Sequence, residues 1–346
     1  MEHIGIDVHK NESQICRLTE DGEIIEKRVA TRHDRFAVVL GSLPRARILI
    51  EASTESEWVA RCLEGLGHEV IVADPNFAPM YASRTRRVKT DKRDAQALMD
   101  ACRLGAYRAS HRVSETQRRV RALLAVRDNL VRTRVRQVQL MRALRRREGL
   151  RPRPGQVSNF GKRLDEVDAP LWLRDLIAPV RTVMDVLNRE LAELDETLVE
   201  IVGDNPVVTR LCTTPGIGPV TAVAFVSTLD DISRFEGAHK VRAYIGLVPS
   251  EFSSGERQQR GAITKTGNTR LRWLLIEAAW SVMRSRNPNT EGLRLWAQGI
   301  AQRRGQRIAI VALGRKLAGV LFAMWRDGTA FGEKSATQLQ AAERVA

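Results

Sequence analysis

The chain has 346 residues, of which 43% are hydrophobic, and carries a formal net charge of +15. That hydrophobic content supports buried cores in two or three domains and excludes a disordered chain. The cationic excess predicts a polyanionic partner, DNA or RNA, because every phosphate neutralised releases condensed counterions. No apolar run approaches the ~20 residues that cross a bilayer, and the opening MEHIGIDVHK has no signal-peptide pattern, so no membrane partner and a cytoplasmic, nucleoid-associated protein are expected. Cys16, Cys62, Cys102 and Cys212 form no CxxC pair, which argues against zinc ribbons and disulfide frameworks.

Residues 1–110 alternate between strand and helix patterns. Ile4–Val8, Ser13–Thr19 and Glu23–Ala30 read as an antiparallel meander, with Glu20-Asp21-Gly22 as a turn. A helical pattern over Arg35–Leu43 precedes a strand at Arg47–Ile50 that runs into Glu51. Trp58–Leu66 is helical, Glu69–Ala73 is a strand, and Ala95, Leu98, Met99 and Cys102 mark a helix that starts near Thr90.

Residues 111–204 are different. Leu123, Leu124, Leu130, Val131, Val135, Val138 and Met141 can line one side of a long helix. A second runs from about Leu171 to Val202, with a break at Arg151-Pro-Arg-Pro-Gly155. Residues 112–163 hold 16 Lys/Arg against three acids, and residues 164–204 hold three Arg against 11 acids. Opposite charge on the two arms suits an antiparallel hairpin or a dimeric coiled coil. The basic arm is a candidate nucleic-acid surface, through Arg119, Arg121, Arg134, Arg136, Arg145, Arg146 and Arg147.

Residues 205–332 form a third, mainly helical unit, followed by a polar tail at 333–346. Gly216 and Gly218 in Pro215-Gly-Ile-Gly-Pro219 have the form of a helix-hairpin-helix turn that brings backbone amides to a phosphate, or of an ordinary Gly-rich turn. Lys10, with its neighbour His9, and Lys265 are candidate phosphate contacts.

Chemistry is suggested by four carboxylates. Asp7 ends the first strand and Glu51 a later one; if the two strands are neighbours, both side chains emerge at one end of the sheet. Asp91 and Asp94 are three apart and share a helix face. Four carboxylates at one point repel unless cations lie between them, and hard Mg²⁺ or Mn²⁺ suits oxygen donors. The order strand-Asp, two strands, helix, strand-Glu, helix, strand, helix with Asp-x-x-Asp is that of ribonuclease H-like nucleases, especially the junction resolvase RuvC.

The segments Ile4-Gly-Ile-Asp-Val-His-Lys10, Ile50-Glu-Ala-Ser53, Lys89-Thr-Asp-Lys-Arg-Asp-Ala95, Pro215-Gly-Ile-Gly-Pro-Val-Thr-Ala222, Ala243-Tyr-Ile-Gly-Leu-Val-Pro249 and Gly261-Ala-Ile-Thr-Lys-Thr-Gly-Asn268 resemble the DEDD transposases of bacterial insertion sequences, the family that includes the pilin-gene invertases. The resemblance covers about residues 1–330. It implies an α/β RuvC-like domain, a helical coiled coil and a C-terminal transposase domain. It implies that Asp7, Glu51, Asp91 and Asp94 hold the metals, two ions in all, and that a nucleophilic serine lies in Ser253-Ser254. Some members are guided by a bridge RNA that pairs with donor and target DNA. A homodimer or tetramer is expected, because recombination holds two duplexes together. The alternatives are a junction-resolving endonuclease with water as nucleophile, and a non-catalytic nucleic-acid-binding protein.

Overall fold

In the first strand, apolar side chains alternate with Gly5 and Asp7, and that alternation sorts one sheet into two buried faces. The computed structural model describes residues 1–81, 90–251 and 260–332. The chain divides into two units, Met1–Val113 and the residues from Ser114 onward.

In the first unit, β1 (His3–Val8), β2 (Glu12–Leu18) and β3 (Ile24–Ala30) form the expected meander. The turn between β2 and β3 is closed by Glu23 N–H donating to Thr19 Oγ1 at 3.0 Å, with Gly22 at φ 86°. Helix α1 (His33–Leu40), β4 (Arg47–Glu51), α2 (Ser56–Gly65), β5 (Glu69–Ala73) and α3 (Asp91–Leu104) follow. The sheet order is β3-β2-β1-β4-β5, with β2 antiparallel to β1 and β3, and β4 and β5 parallel to β1. This mixed order agrees with the ribonuclease H-like expectation. β3 is the exposed edge and carries Glu26, Lys27 and Arg28, charges that discourage pairing with another chain.

Ile4, Ile6, Ile15, Ile48 and Ile50 face α1 and α2, where Phe36, Val59 and Leu63 complete a core. Leu49, Ala73 and Cys16 face the other way, against α3. Gly5 is the point of closest approach on that side. A Cβ built there lies under 3.0 Å from the carbonyl oxygen of Ala95 and the backbone nitrogen of Met99. Helix α3 therefore rests directly on the β1 backbone, with its first turn at the end of the sheet where Asp7 and Glu51 emerge.

The second unit is mostly helical. It comprises α4 (Glu115–Arg147), α5 (Phe160–Asp165), α6 (Leu171–Asp204), α7 (Pro206–Leu211), α8 (Pro219–Leu229), α9 (Ala238–Tyr244), a hairpin of β6 (Pro249–Glu251) and β7 (Arg260–Ile263), α10 (Thr269–Arg284), α11 (Glu291–Arg304) and α12 (Gln306–Asp327). The two long helices run antiparallel: Arg127 bonds Asp195 at 2.6 Å, and Arg134, further along α4, bonds Asn188, earlier on α6, at 3.1 Å. Towards the middle of the chain the pair closes on Val138, Met141, Phe160, Leu173 and Met184. At the other end Val120, Leu124 and Leu198 join the core of α8, α10 and α12, so the arms and the C-terminal helices form one unit. Helix α12 is long and apolar enough by composition to cross a membrane. It is also the central helix of this core, with Leu313, Leu317, Leu321 and Phe322 buried. All four cysteines are free.

Because a Cβ at Gly5 would meet the α3 backbone, Gly5→Ala is expected to destabilise the first unit by about 1–3 kcal/mol, the usual magnitude of overpacking. Chemical denaturation measures this, and a change below about 0.5 kcal/mol would mean that α3 lifts freely off the sheet.

Candidate active site and nucleic-acid surfaces

Parallel pairing sets β1 and β4 in a register that matches Ile6 with Ile50, so the next residues, Asp7 and Glu51, leave the sheet side by side. Helix α3 begins at Thr90, whose hydroxyl accepts from the backbone N–H of Arg93, and its first turn carries Asp91 and Asp94. A helix N-terminus favours carboxylates there. Asp7 and Asp94 are 9% and 6% exposed, whereas the Asp91 side chain is more open.

Burial raises the pKa of Asp7 above the ordinary aspartate value. His9 opposes this, and the charges of Asp94, Asp91 and Glu51 raise it further. The Tyr81 hydroxyl, in the short turn Ala78–Tyr81, donates to Glu51 Oε2. Burial holds that phenol protonated, reinforced by the bond to Glu51 and by the charges of Glu51, Asp94 and Asp7. His9 Nε2 lies 3.3 Å from Asp7 Oδ2 and 3.5 Å from Asp91 Oδ1. Arg28 on β3 reaches Asp91 at 3.4 Å and Glu12 at 3.0 Å. Ligand atoms of Asp7, His9 and Asp91 all lie within 4.8 Å of one another, a spacing that suits a shared metal ion.

Sequence reasoning took His9 only for a phosphate contact and missed Tyr81 and Arg28. An isolated Tyr in a turn and an Arg on an exposed edge strand carry no signal of their own. Both acquire meaning only when the fold brings them to the carboxylates.

The basic residues fall into two groups. Arg121 donates to the carbonyls of Ser227 and Thr228 at 2.7 and 2.9 Å, closing the C-terminal end of buried α8. Arg134 is held by Asn188, and Arg145, 3% exposed, donates to the Val167 carbonyl at 3.2 Å. By contrast Lys10, Arg119, Arg136, Arg146, Arg147 and Lys265 are exposed, with Arg119 pairing Glu115 one turn back. Gly216 has φ 80° and stands so close to α10 that a Cβ would press on the Ala278 carbonyl and Val282. Packing accounts for that glycine, whereas the surroundings of Gly218, the N-cap of α8, are open. Ser253 and Ser254 lie outside the described residues.

Comparison with known proteins adds two family matches. The model described as the transposase IS116/IS110/IS902 family matches residues 208–293, and the DEDD transposase model of the IS110 type matches residues 4–146. A transposase for insertion sequence element IS1111A from Coxiella burnetii is 30% identical over 93% of this chain and 88% of its own length. A "Probable family 20 transposase" of Pseudomonas aeruginosa is 29% identical, over 96% of this chain and 98% of its own. A transposase for insertion sequence element IS1328 from Yersinia enterocolitica is 27% identical, over 95% and 98% respectively.

The raised Asp7 carboxyl has a consequence for stability. Its folded pKa exceeds its unfolded one, so the native state binds more protons, and stability falls as pH rises from the ordinary aspartate value of 3.8 through the raised one. Asp7→Asn removes that loss. In the presence of chelator the variant is expected to melt above wild type at neutral pH, with the gap closing below pH 3.8. A wild type as stable as the variant at pH 7 would contradict the electrostatic account.

Proposed function

The chain belongs to the IS116/IS110/IS902 transposase family, and on that premise we propose that it cuts and rejoins DNA through a four-carboxylate metal site and a serine nucleophile. One observation carries the site: ligand atoms of Asp7, His9 and Asp91 lie within 4.8 Å of one another, at the end of the sheet where the β1–β4 register also brings Glu51. The donors are oxygen atoms crowded at one end of a sheet, a set that fits hard divalent cations. Two Mg²⁺ or Mn²⁺ ions there supply activation of an attacking oxygen and neutralisation of a leaving one.

The chain's own residues do the positioning. Asp7 and Glu51 are fixed by the β1–β4 register, Asp91 and Asp94 by the seating of α3 on Gly5. Tyr81 orients Glu51 by its hydrogen bond, while Arg28 and His9 hold Asp91 beside Asp7. The proposed nucleophile is Ser254, or its neighbour Ser253, the pair to which the family resemblance points. The serine oxygen bonds to phosphorus as the bond to the leaving sugar oxygen breaks, and the proton ends on that oxygen. The phosphoserine ester conserves the bond energy, and attack by another strand's hydroxyl restores a phosphodiester and frees the serine.

Exposed Arg119, Arg136, Arg146 and Arg147 on α4, together with Lys10 and Lys265, are the proposed contacts to nucleic-acid backbone, including that of a guide RNA. On α6, Trp172, Leu176, Val183 and Val186 recur at helical spacing and stay exposed. Such a stripe suits pairing with a second copy in a coiled coil.

Two experiments test this reading. Wild type with Mg²⁺ and element-end DNA is expected to yield an adduct that survives denaturation and maps to one serine, and Asp94→Asn is expected to lose it with unchanged or higher melting temperature. Adduct formation by both Ser253→Ala and Ser254→Ala would remove the serine. For assembly, the double variant Leu176→Asp, Val183→Asp is expected to reduce the mass measured by light scattering to that of a monomer; a wild type that is itself monomeric with and without nucleic acid would remove the proposed pairing.

A further inference from the structure

A cleft of about 640 Å³ opens in the second unit between α9, the β6–β7 hairpin, α11 and the first half of α12. Its volume lies within the ~300–1,000 Å³ usual for small-ligand sites. Trp296, Ile300, Ile308 and Val311 give it an apolar wall. Arg304, Arg307 and Arg315 also line it, as do Arg242 and Lys316, and among the described residues no carboxylate lines it. Three arginines, Arg304, Arg307 and Arg315, thus share one cleft with no carboxylate among its described lining residues, unlike a solvated face where cations and carboxylates alternate.

Arg315 is the most informative of these cations. Its Nε is buried and has no hydrogen-bond partner among the described residues. A buried donor without a partner costs free energy, and most such groups in folded proteins are satisfied. Arg304 and Arg307, both exposed, make no ion pair with a described residue. Helix α12 also begins at this rim. Its N-cap is Gly305, which offers no side-chain acceptor, and its first turn carries Arg307 and Ile308. The positive end of the helix therefore adds to the cationic field.

The ligand that answers these features has a flat apolar face and a negative charge a few ångströms away. A nucleotide has that form. A base inside a duplex is already stacked on both faces and paired at its edge, so only an unpaired one can lie against an apolar wall. We infer that the cleft holds one unpaired nucleotide of a polynucleotide strand, with its base against Ile300, Ile308 and Val311 and its phosphate on Arg304, Arg307 and Arg315. This rests on the reading of the chain as a strand-transfer enzyme and adds to it a pocket for a strand end or a flipped-out position.

The test compares the affinity of the full-length protein, in chelator to prevent cleavage, for a blunt duplex and for the same duplex with a short overhang of deoxyribose or ribose. Wild type is expected to prefer the overhang by roughly 10-fold, the scale of burying part of one base face against an apolar wall. Arg315→Ala is expected to abolish the preference, to lower the salt dependence of overhang binding by about one phosphate contact, and to leave blunt-duplex affinity nearly unchanged. Val311→Phe fills the cleft without altering charge and is expected to abolish the preference while keeping the salt dependence; its melting temperature and that of Arg315→Ala verify folding. A larger loss on the deoxyribose or on the ribose overhang identifies DNA or RNA as the source. A preference retained by both variants overturns the cleft assignment and leaves the carboxylate chemistry standing. Failure of wild type to bind any nucleic acid overturns both. An intact preference in Val311→Phe combined with a changed oligomeric mass assigns the cleft to a second copy of the chain, and that too overturns the inference.

Discussion

At Gly5 there is no space for a methyl group between β1 and α3. The side chains that meet at the candidate site depend on this contact. Asp7 is two residues further along the same strand and on the same face, and Ala95 and Met99 bear on Gly5 from the helix whose first turn holds Asp91 and Asp94. A helix lifted by the width of a side chain would carry its carboxylates away from Asp7 and Glu51. Close packing converts a one-atom difference in the sequence into the geometry of a site several residues away, because a packed interior transmits displacement rather than absorbing it.

That seating gathers like charges, and the surrounding residues limit the resulting cost. His9 and Arg28 approach Asp91 and Asp7 from the outside, and Tyr81 donates to Glu51. None of them buries an opposite charge among the four carboxylates, so the repulsion is moderated and not removed. The raised pKa of Asp7 comes first from its burial, and the neighbouring carboxylates add to it. A site optimised for stability alone would replace a carboxylate with an amide; keeping all four is a cost consistent with cation binding.

The strands and long helices were legible because their periods are simple. Short apolar runs between turn residues marked β1 to β5, and the three-and-four spacing marked α3 and α6 to within a few residues and the middle of α4, whose ends at Glu115 and Arg147 lie beyond the Leu123–Met141 stripe. The carboxylates were legible because each sits at the end of a strong element. The short α5 and the β6–β7 hairpin were not, since a six-residue helix and strands of three or four residues carry too few positions for a period to emerge. Tyr81 and Arg28 were invisible for a different reason. Their roles depend on tertiary placement, and nothing in the neighbouring sequence encodes it.

The arginines of α4 show how far charge counting reaches. The excess of cations over the basic arm was correctly read as a property of the helix, but not which members are spent inside the protein. Arg121 closes the end of a buried helix and Arg145 is almost fully covered, so moving either to a phosphate would strand buried carbonyls or break packing. Arg119 and Arg132 are in another situation. Arg132 pairs with Asp128, a largely buried carboxylate that Arg270 also holds, whereas Arg119 pairs with Glu115 one turn back on an exposed helix face. Exposed pairs of this kind are worth ~0–1 kcal/mol. A phosphate that takes over the guanidinium also releases counterions, and that gain exceeds what the helix loses. Pairing with Glu115 therefore costs little to break, and Arg119 keeps its place among the proposed nucleic-acid contacts.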